Sequence, residues 1–283
     1  MRGGVAVIPA RDEEARVPLA IASLRRRGLR VIVVANGCRD RTATAAHQAG
    51  ATVIEAPALH GGVGQARRIG FAAALRDDPS WLLTTDADCV VPPGTIPLVL
   101  HRLERCDAVF GRVEPDATEF ARLPPIVRRH GALEDRRDAL RAHLDGLLAP
   151  EPWDPLPRHG QSPGAFVAFR TAAYLATGGF APVPCHEDRL LAEALDRIGA
   201  RVARPWGAVV RASCRLKGRA PGGMADSIAE RTRIDLTAQI QALEEECETL
   251  ATRIAAVEGG AEANLLPFLP VGSNGPVDRM PTV

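Results

Sequence analysis

The 283-residue sequence predicts an α/β fold, with a mostly parallel sheet flanked by helices and a helical extension at the C-terminus. Three observations predict it. Short apolar runs alternate with helical segments of roughly 10–15 residues through the first 115 positions, the pattern of βαβ units. The apolar runs are continuous rather than alternating, as strands buried on both faces of a parallel sheet must be. Near the C-terminus, apolar residues step by four and three over 236–257, the spacing of one helix face.

The elements follow in order. GVAVIPA (4–10) is a strand. RVPLAIASLRRRG (16–28) is a helix, with Leu19, Ala22 or Ser23, and Leu24 expected inside and Gly28 as its stop. RVIVVANG (30–37) is a second strand, and RTATAAHQAG (41–50) a short helix ending at Gly50. ATVIEA (51–56) is a third strand, followed by a helix over 62–76. WLLTTDADC (81–89) is a fourth strand, then come a helix over 94–106 and a strand over 107–115. Residues 119–150 read mostly as one amphipathic helix, and EPWDPLPRHGQSPG (151–164) as a Pro/Gly-rich loop. AFVAFR (165–170) is a strand, and HEDRLLAEALDRIGARV (186–202) a helix running into another. The core is expected to close near 216, giving a domain over 1–216 in two parts, 1–115 and 116–216. Residues 217–283 then supply a basic linker, a long helix and a Pro/Gly/Asn tail.

Composition narrows the function. The net charge is +1, with no basic excess that would suggest nucleic acid. No run of 18 apolar residues exists to span a membrane, and the N-terminal apolar stretch is short for a secretory signal. The six cysteines are scattered without a CxxC pair, which fits a reduced, cytoplasmic chain better than a disulfide framework or zinc site. Lys217 is the only lysine, so any single arginine carries little weight as a functional signal.

The chemistry concentrates where the fourth strand ends. Asp86 and Asp88 are two residues apart, so an extended chain turns both to one side and Ala87 away. Two adjacent carboxylates repel unless a cation sits between them, and Mg²⁺ or Mn²⁺ is held this way, with substrate phosphates completing its shell. Two solvated aspartates in a turn before Pro92 is the alternative, and the stretch alone does not decide. Parallel sheets bind ligands beyond the carboxyl ends of their strands. PARDEE (9–14), ANGCRDRT (35–42) and HGGVGQAR (60–67) follow the first three strands, so with DADC they line one edge, as suits a nucleotide whose phosphates meet the metal. Gly62 and Gly64 lack the GxGxxG spacing and read as a helix start.

These motifs together resemble family 2 glycosyltransferases, nucleotide-sugar-dependent enzymes of the GT-A fold. VIPARDEEARV, VVANGCRDRTATAA, GGVGQARRIG, TDAD, GAFVAFRTAAYLATGGF and HEDRLLAEALDRIGARV follow the family's motif order across roughly residues 4–204. The resemblance implies an enzyme of the hexosyltransferase class that uses a nucleotide-sugar donor, a hydroxyl acceptor and Mg²⁺ or Mn²⁺, with 1–115 as its nucleotide-binding half and 116–216 as its acceptor half. It implies that Pro9, Arg11 and Glu13 border the nucleoside, that Asn36 and Asp40 belong to the base-and-ribose loop, and that Arg67 lies near the diphosphate. It implies that Asp88 holds the metal, with Asp86 contributing through the ribose or directly. It also implies that Asp188, in the Glu187–Asp188 pair, is the general base of an inverting transfer, and that Gly178 and Gly179 let the backbone pass close to the donor sugar. Ala35 departs from the family, which has an acid contacting uracil there, and so leaves the choice of base open. Asp12 and Arg68, where the family has asparagine, are milder departures.

Other residues carry two readings each. Arg215, Lys217 and Arg219 would form a clamp over the phosphates, or a basic linker. Trp153 would stack on a sugar or pack on the core. His186 would assist Asp188 or stay solvated, and His159 lies near the same acceptor side. LLTTDADCV also satisfies the nucleophile motif of haloacid-dehalogenase-type phosphohydrolases, with Asp86 as nucleophile. That class needs a later lysine and then paired aspartates, and only Asp226, Asp235 and Asp278 follow Lys217. A catalytically silent scaffold is the other rival, and the presence of both Asp88 and Asp188 argues against it. In the C-terminal helix, Leu236, Ile240, Leu243, Cys247, Leu250, Ile254 and Val257 form a seam expected to be buried. An intramolecular contact in a monomer and a helix-mediated homodimer both satisfy it.

Overall fold

The computed structural model describes residues 3–219 and 223–259. The expected Pro/Gly/Asn tail lies outside them. The first four strands, β1 (Gly4–Ala10), β2 (Arg30–Asn36), β3 (Thr52–Ala56) and β4 (Trp81–Thr85), pair in parallel with β1 and β2 at the centre. Helices α1 (Val17–Arg25), α2 (Thr42–Gln48) and α3 (Gly62–Ala74) connect them. A two-residue strand β5 (Cys89–Val90) and helix α4 (Thr95–Leu103) follow. Next come β6 (Ala108–Phe110), β7 (Arg112–Pro115), α5 (Ala117–Phe120) and α6 (Pro125–Leu148). Strand β8 (Phe166–Arg170) and helices α7 (Thr171–Ala176) and α8 (Glu187–Arg197) lead into β9 (Val202–Ala203) and β10 (Val209–Ala212), with α9 (Met224–Arg231) and α10 (Thr237–Val257) last.

The main sheet has the order β3-β2-β1-β4-β8-β6-β9, with β8 antiparallel to both its neighbours. Successive residues of a strand point to opposite faces, and this divides the core. Ala6, Ile8, Val31, Val33 and Leu83 join one layer with α1 and α4, while Val5, Val7, Ile32 and Leu82 join the other with α3, α7 and α8. The second layer centres on Phe71, Phe169, Tyr174 and Phe180, where the Phe71 and Phe180 rings stack with centroids 5.6 Å apart.

Several expectations need correction. In α1 the buried stripe is Val17, Ala20, Ile21 and Leu24, while Leu19 is 62% exposed. The stripe sits one step round from the face that Leu19 suggested, because Val17, Ala20 and Ile21 are the residues that meet the sheet. Residues 107–115 are two strands, not one. The chain leaves the main sheet at Gly111, where a Cβ would fall 2.7 Å from the Phe166 ring, and β7 joins a second sheet of order β5-β10-β7. The helix expected over 119–150 begins at Pro125, after the separate short α5. Its buried residues occupy more than one face, because it is covered twice. The first cover is α10. Leu140 and Leu144 pack with Cys247, Leu250 and Ile254, and Val127 with Leu236 and Ile240. The second is the loop 150–160, where Leu156 abuts Gly146 and Arg158 Nε donates to the Ala142 carbonyl at 3.3 Å. The C-terminal seam is therefore buried within the chain from Leu236 to Ile254, and Val257, 46% exposed, lies off it. Gly28 and Gly50 take positive φ just past their helices, as their stop role requires.

Candidate active site

Because β1 to β4 are parallel, the four loops expected along one sheet edge do lie together, and their side chains bind one loop to the next. Asp12 Oδ1 accepts from the Arg39 N–H at 2.6 Å, and Asp40 Oδ2 from the Glu14 N–H at 3.1 Å. Burial works against the Asp40 charge, yet the Thr42 hydroxyl and the amide N–H groups hold its carboxyl below the usual range. Asn36 is buried at the end of β2, accepting from Leu59 N–H at 2.9 Å and donating to the Gly62 carbonyl at 3.3 Å. Pro9 and Ala35 are buried beside it in β1 and β2, while Arg11 is exposed. Thus Glu13, Asn36 and Asp40 are brought to one edge, and each is also a tie between loops.

The two aspartates sit in the turn that closes β4. Asp86 and Asp88 are half-buried and Ala87 is buried, as the side-chain alternation required. Ligand atoms of Asp86, Asp88 and Cys89 lie within 4.8 Å of one another. The two carboxylates suit a hard cation such as Mg²⁺ or Mn²⁺. The Cys89 thiol does not, because burial and the two neighbouring carboxylates push it well above its ordinary range. The Asp88 carboxyl is pushed up to about 6, by burial first and then by Asp86, while Arg215 pulls the other way. Arg215 grips both oxygens of Glu13, one of them at 2.8 Å, and reaches Asp88 Oδ2 at 3.1 Å. Arg219 donates to the Asp12 carbonyl at 3.1 Å. The segment after β10 therefore crosses the loop after β1 and brings a guanidinium against the acidic turn. Lys217 is exposed.

Arg67 is the hub of the site. Only 1% exposed, it reaches Asp86 Oδ1 at 2.6 Å and the Gly164 carbonyl at 2.8 Å, and it pairs with Glu187. Burial pushes the Glu187 carboxyl above its ordinary range and Arg67 draws it back. Arg67 thus couples the acidic turn to the start of α8. At that start Asp188 is oriented from both sides, its Oδ2 accepting from Gly164 N–H and its Oδ1 from Arg189 N–H, each at 2.8 Å. Gly164 was not foreseen. A Cβ there would fall 2.6 Å from Arg67 Nη1, so the close approach requires glycine. Its signal was a glycine opening the strand 165–170. Gly64 is likewise constrained, since a Cβ there would meet the Ala181 carbonyl at 2.1 Å, where α3 abuts the loop leading to Glu187.

The remaining expected residues flank this assembly or lie in the loop 151–164. His186 precedes α8, exposed and with φ +63°. Gly178 and Gly179 turn the chain after α7 with φ near +80°. Their neighbours are Arg68, which donates to the Gly178 carbonyl at 3.3 Å, and Tyr174. Trp153 is half-buried against the core. His159 is buried, its Nε2 on the Phe110 carbonyl at 3.2 Å and its Nδ1 accepting from Gln161 N–H at 3.2 Å. Burial lowers its pKa to about 3, so it is a neutral strut of the loop.

The sequence profile of glycosyl transferase family 2 matches residues 5–149. The chain belongs to that family. The matched span contains the loops after β1, β2 and β3, Arg67 and both aspartates of the acidic turn; Glu187 and Asp188 lie beyond it. No curated protein sequence matches the chain. Among solved structures, a glucosyl-3-phosphoglycerate synthase from Mycobacterium tuberculosis, in complex with Mn²⁺, UDP and phosphoglyceric acid, superposes with a TM-score of 0.51. Its identity is 21%, over 87% of this chain and 78% of that one. S. aureus TarS (1–349) superposes with a TM-score of 0.51 at 12% identity, over 91% of this chain and 74% of that one. These likenesses show the GT-A fold. Among the described residues, no helix is long and apolar enough to cross a membrane.

Proposed function

We propose that this glycosyltransferase moves a sugar from a nucleoside-diphosphate sugar to a hydroxyl acceptor with inversion, using a divalent cation at Asp86 and Asp88 and Asp188 as the base. The observation that carries the reading is Arg67, whose buried guanidinium ties the acidic turn to the Glu187–Asp188 pair. The leaving group and the base are then parts of one rigid assembly, and positioning of that kind supplies much of the rate in bimolecular transfers.

A bound Mg²⁺ or Mn²⁺ would neutralise the charge that develops on the departing nucleoside diphosphate. Asp86 and Asp88 offer the carboxylate oxygens to hold it. That a structural neighbour of this fold is a complex with Mn²⁺ and UDP is consistent with this assignment. Asp188 receives the proton of the acceptor hydroxyl as that oxygen bonds to the anomeric carbon and the bond to the diphosphate breaks. Its two backbone N–H contacts leave further lone pairs on both oxygens for that proton. Glu187 binds Arg67 and acts by positioning. Contacts of Arg215 with Asp88 and of Arg219 with the loop after β1 support a role as a clamp over the phosphates, in which Arg215 would exchange Asp88 for the diphosphate when the donor enters. Ala35 offers no acid to a uracil ring, so UDP, GDP and dTDP donors are all to be tried. NMR of the new glycosidic bond formed from an α-linked donor tests inversion: a β linkage is expected, and an α linkage would contradict it.

A further inference from the structure

Beyond β9, at the edge of the sheet away from the nucleotide loops, lies a cavity of about 350 Å³ between α6, the loop 151–160 and the C-terminal end of α8. That volume is within the range of small-molecule sites. A narrower cleft continues from it along α6, sharing His159 and Gly160 and ending at Trp206. The cavity is lined by the carboxylates of Asp145, Glu151, Asp154 and Asp196 against the guanidiniums of Arg158 and Arg204, with Trp153 in its wall. Its frame is fixed. Asp154 is 4% exposed and accepts from Arg204 N–H at 2.8 Å, and the Arg204 guanidinium is held by the Ser162 hydroxyl at 2.9 Å. Glu151 Oε2 is buried with no hydrogen-bond donor among the described residues.

This lining selects against two ligand classes. An apolar ligand would strip water from several charges without replacing it. An anion would meet twice as many carboxylates as guanidiniums, and His159 is neutral. A polyhydroxylated, uncharged ligand satisfies the set, because each hydroxyl both donates to carboxylates and accepts from guanidiniums, and an aromatic wall accommodates the C–H face of a sugar ring.

Position relates the cavity to the transfer site. Gly160 lines it, and four residues later Gly164 donates its N–H to Asp188. Four residues span at most ~14 Å, so Gly160 and Gly164 are no farther apart than that, a separation that a glycan of a few sugar units matches. We propose that the cavity is a subsite for a distal sugar unit of the acceptor, so that the acceptor is a neutral glycan rather than a small phosphorylated one. This deepens the glycosyltransferase reading and rests on it.

The test is binding of the full chain to an array of neutral, amino and anionic glycans, alongside calorimetric titration with UDP, GDP and dTDP in Mn²⁺. Wild type should bind a subset of neutral glycans. Glu151→Gln and Asp145→Asn, which preserve side-chain size, should each weaken that binding about tenfold or more and leave nucleotide affinity unchanged. Binding of no neutral glycan, preference for anionic glycans, or binding untouched by both variants would overturn the subsite. Glycan binding without any nucleotide binding would instead overturn the glycosyltransferase reading and leave the subsite standing.

Discussion

Replacing Arg67 by methionine keeps most of the side-chain volume and removes the one positive charge, among the described residues, that pairs with both Asp86 and Glu187. The Glu187 side chain is 6% exposed and the Arg67 side chain 2%, so the loss is not repaired by solvent. Breaking a buried ion pair by deleting one partner costs about 3–5 kcal/mol. Asp86, with its side chain 38% exposed, contributes less to that cost than Glu187. In a domain of this size about 1 kcal/mol corresponds to roughly 2–4 °C in Tm, so the melting temperature of Arg67→Met at pH 8 should fall by roughly 6–20 °C. The fall should also depend on pH. The Glu187 carboxyl is already raised by burial, and without Arg67 it rises further. A carboxyl whose folded pKa exceeds its unfolded one binds more protons when folded, so stability falls as pH rises through the folded value. Calorimetric melts of variant and wild type at pH 5 and pH 8 should show a smaller deficit at pH 5. A variant melting within 2 °C of wild type at both pH values would refute the hub.

Three further outcomes follow from the same geometry. Metal-dependent nucleotide binding needs ionised Asp88, pushed up to about 6, so affinity measured by calorimetry should drop about tenfold from pH 7 to pH 5; a flat profile would count against Asp88 as ligand. Asp188→Asn should lower turnover by on the order of 10²–10⁴ with nucleotide affinity near wild type, and normal turnover would assign the base elsewhere. Leu243→Asp with Leu250→Asp should lower Tm without changing the mass seen by light scattering, since Leu250 packs with Leu140 and Leu144 of α6 and Leu243 is buried within the same chain; a halved mass would show that the seam joins two copies.

Much of this site could be read before any coordinate. Continuous apolar runs specify buried parallel strands, and those place the loops after them on one edge. The i, i+2 spacing of Asp86 and Asp88 places them on one side of the chain. What escaped was tertiary. Among so many arginines nothing marks Arg67 as the buried one, and the need for Gly164 arises only where two distant segments meet. At Gly111 the chain moves between sheets, from the fully buried Ala108–Phe110 to the half-buried Arg112–Pro115, and a single glycine between two short extended runs does not by itself mark such a crossing. Strands as short as β9, at two residues, carry no period to detect. In α1 the exposed Leu19 outweighed the smaller Ala20 that does the packing.

The most direct test of the account is calorimetric titration of the full chain with UDP, GDP and dTDP, each with Mn²⁺ and each with EDTA. At least one should bind in Mn²⁺ and lose that binding in EDTA and in Asp88→Asn, whose melting temperature should stay near that of wild type. Binding equal in Mn²⁺ and EDTA, or unchanged in Asp88→Asn, would contradict the assignment of the acidic turn as the metal site.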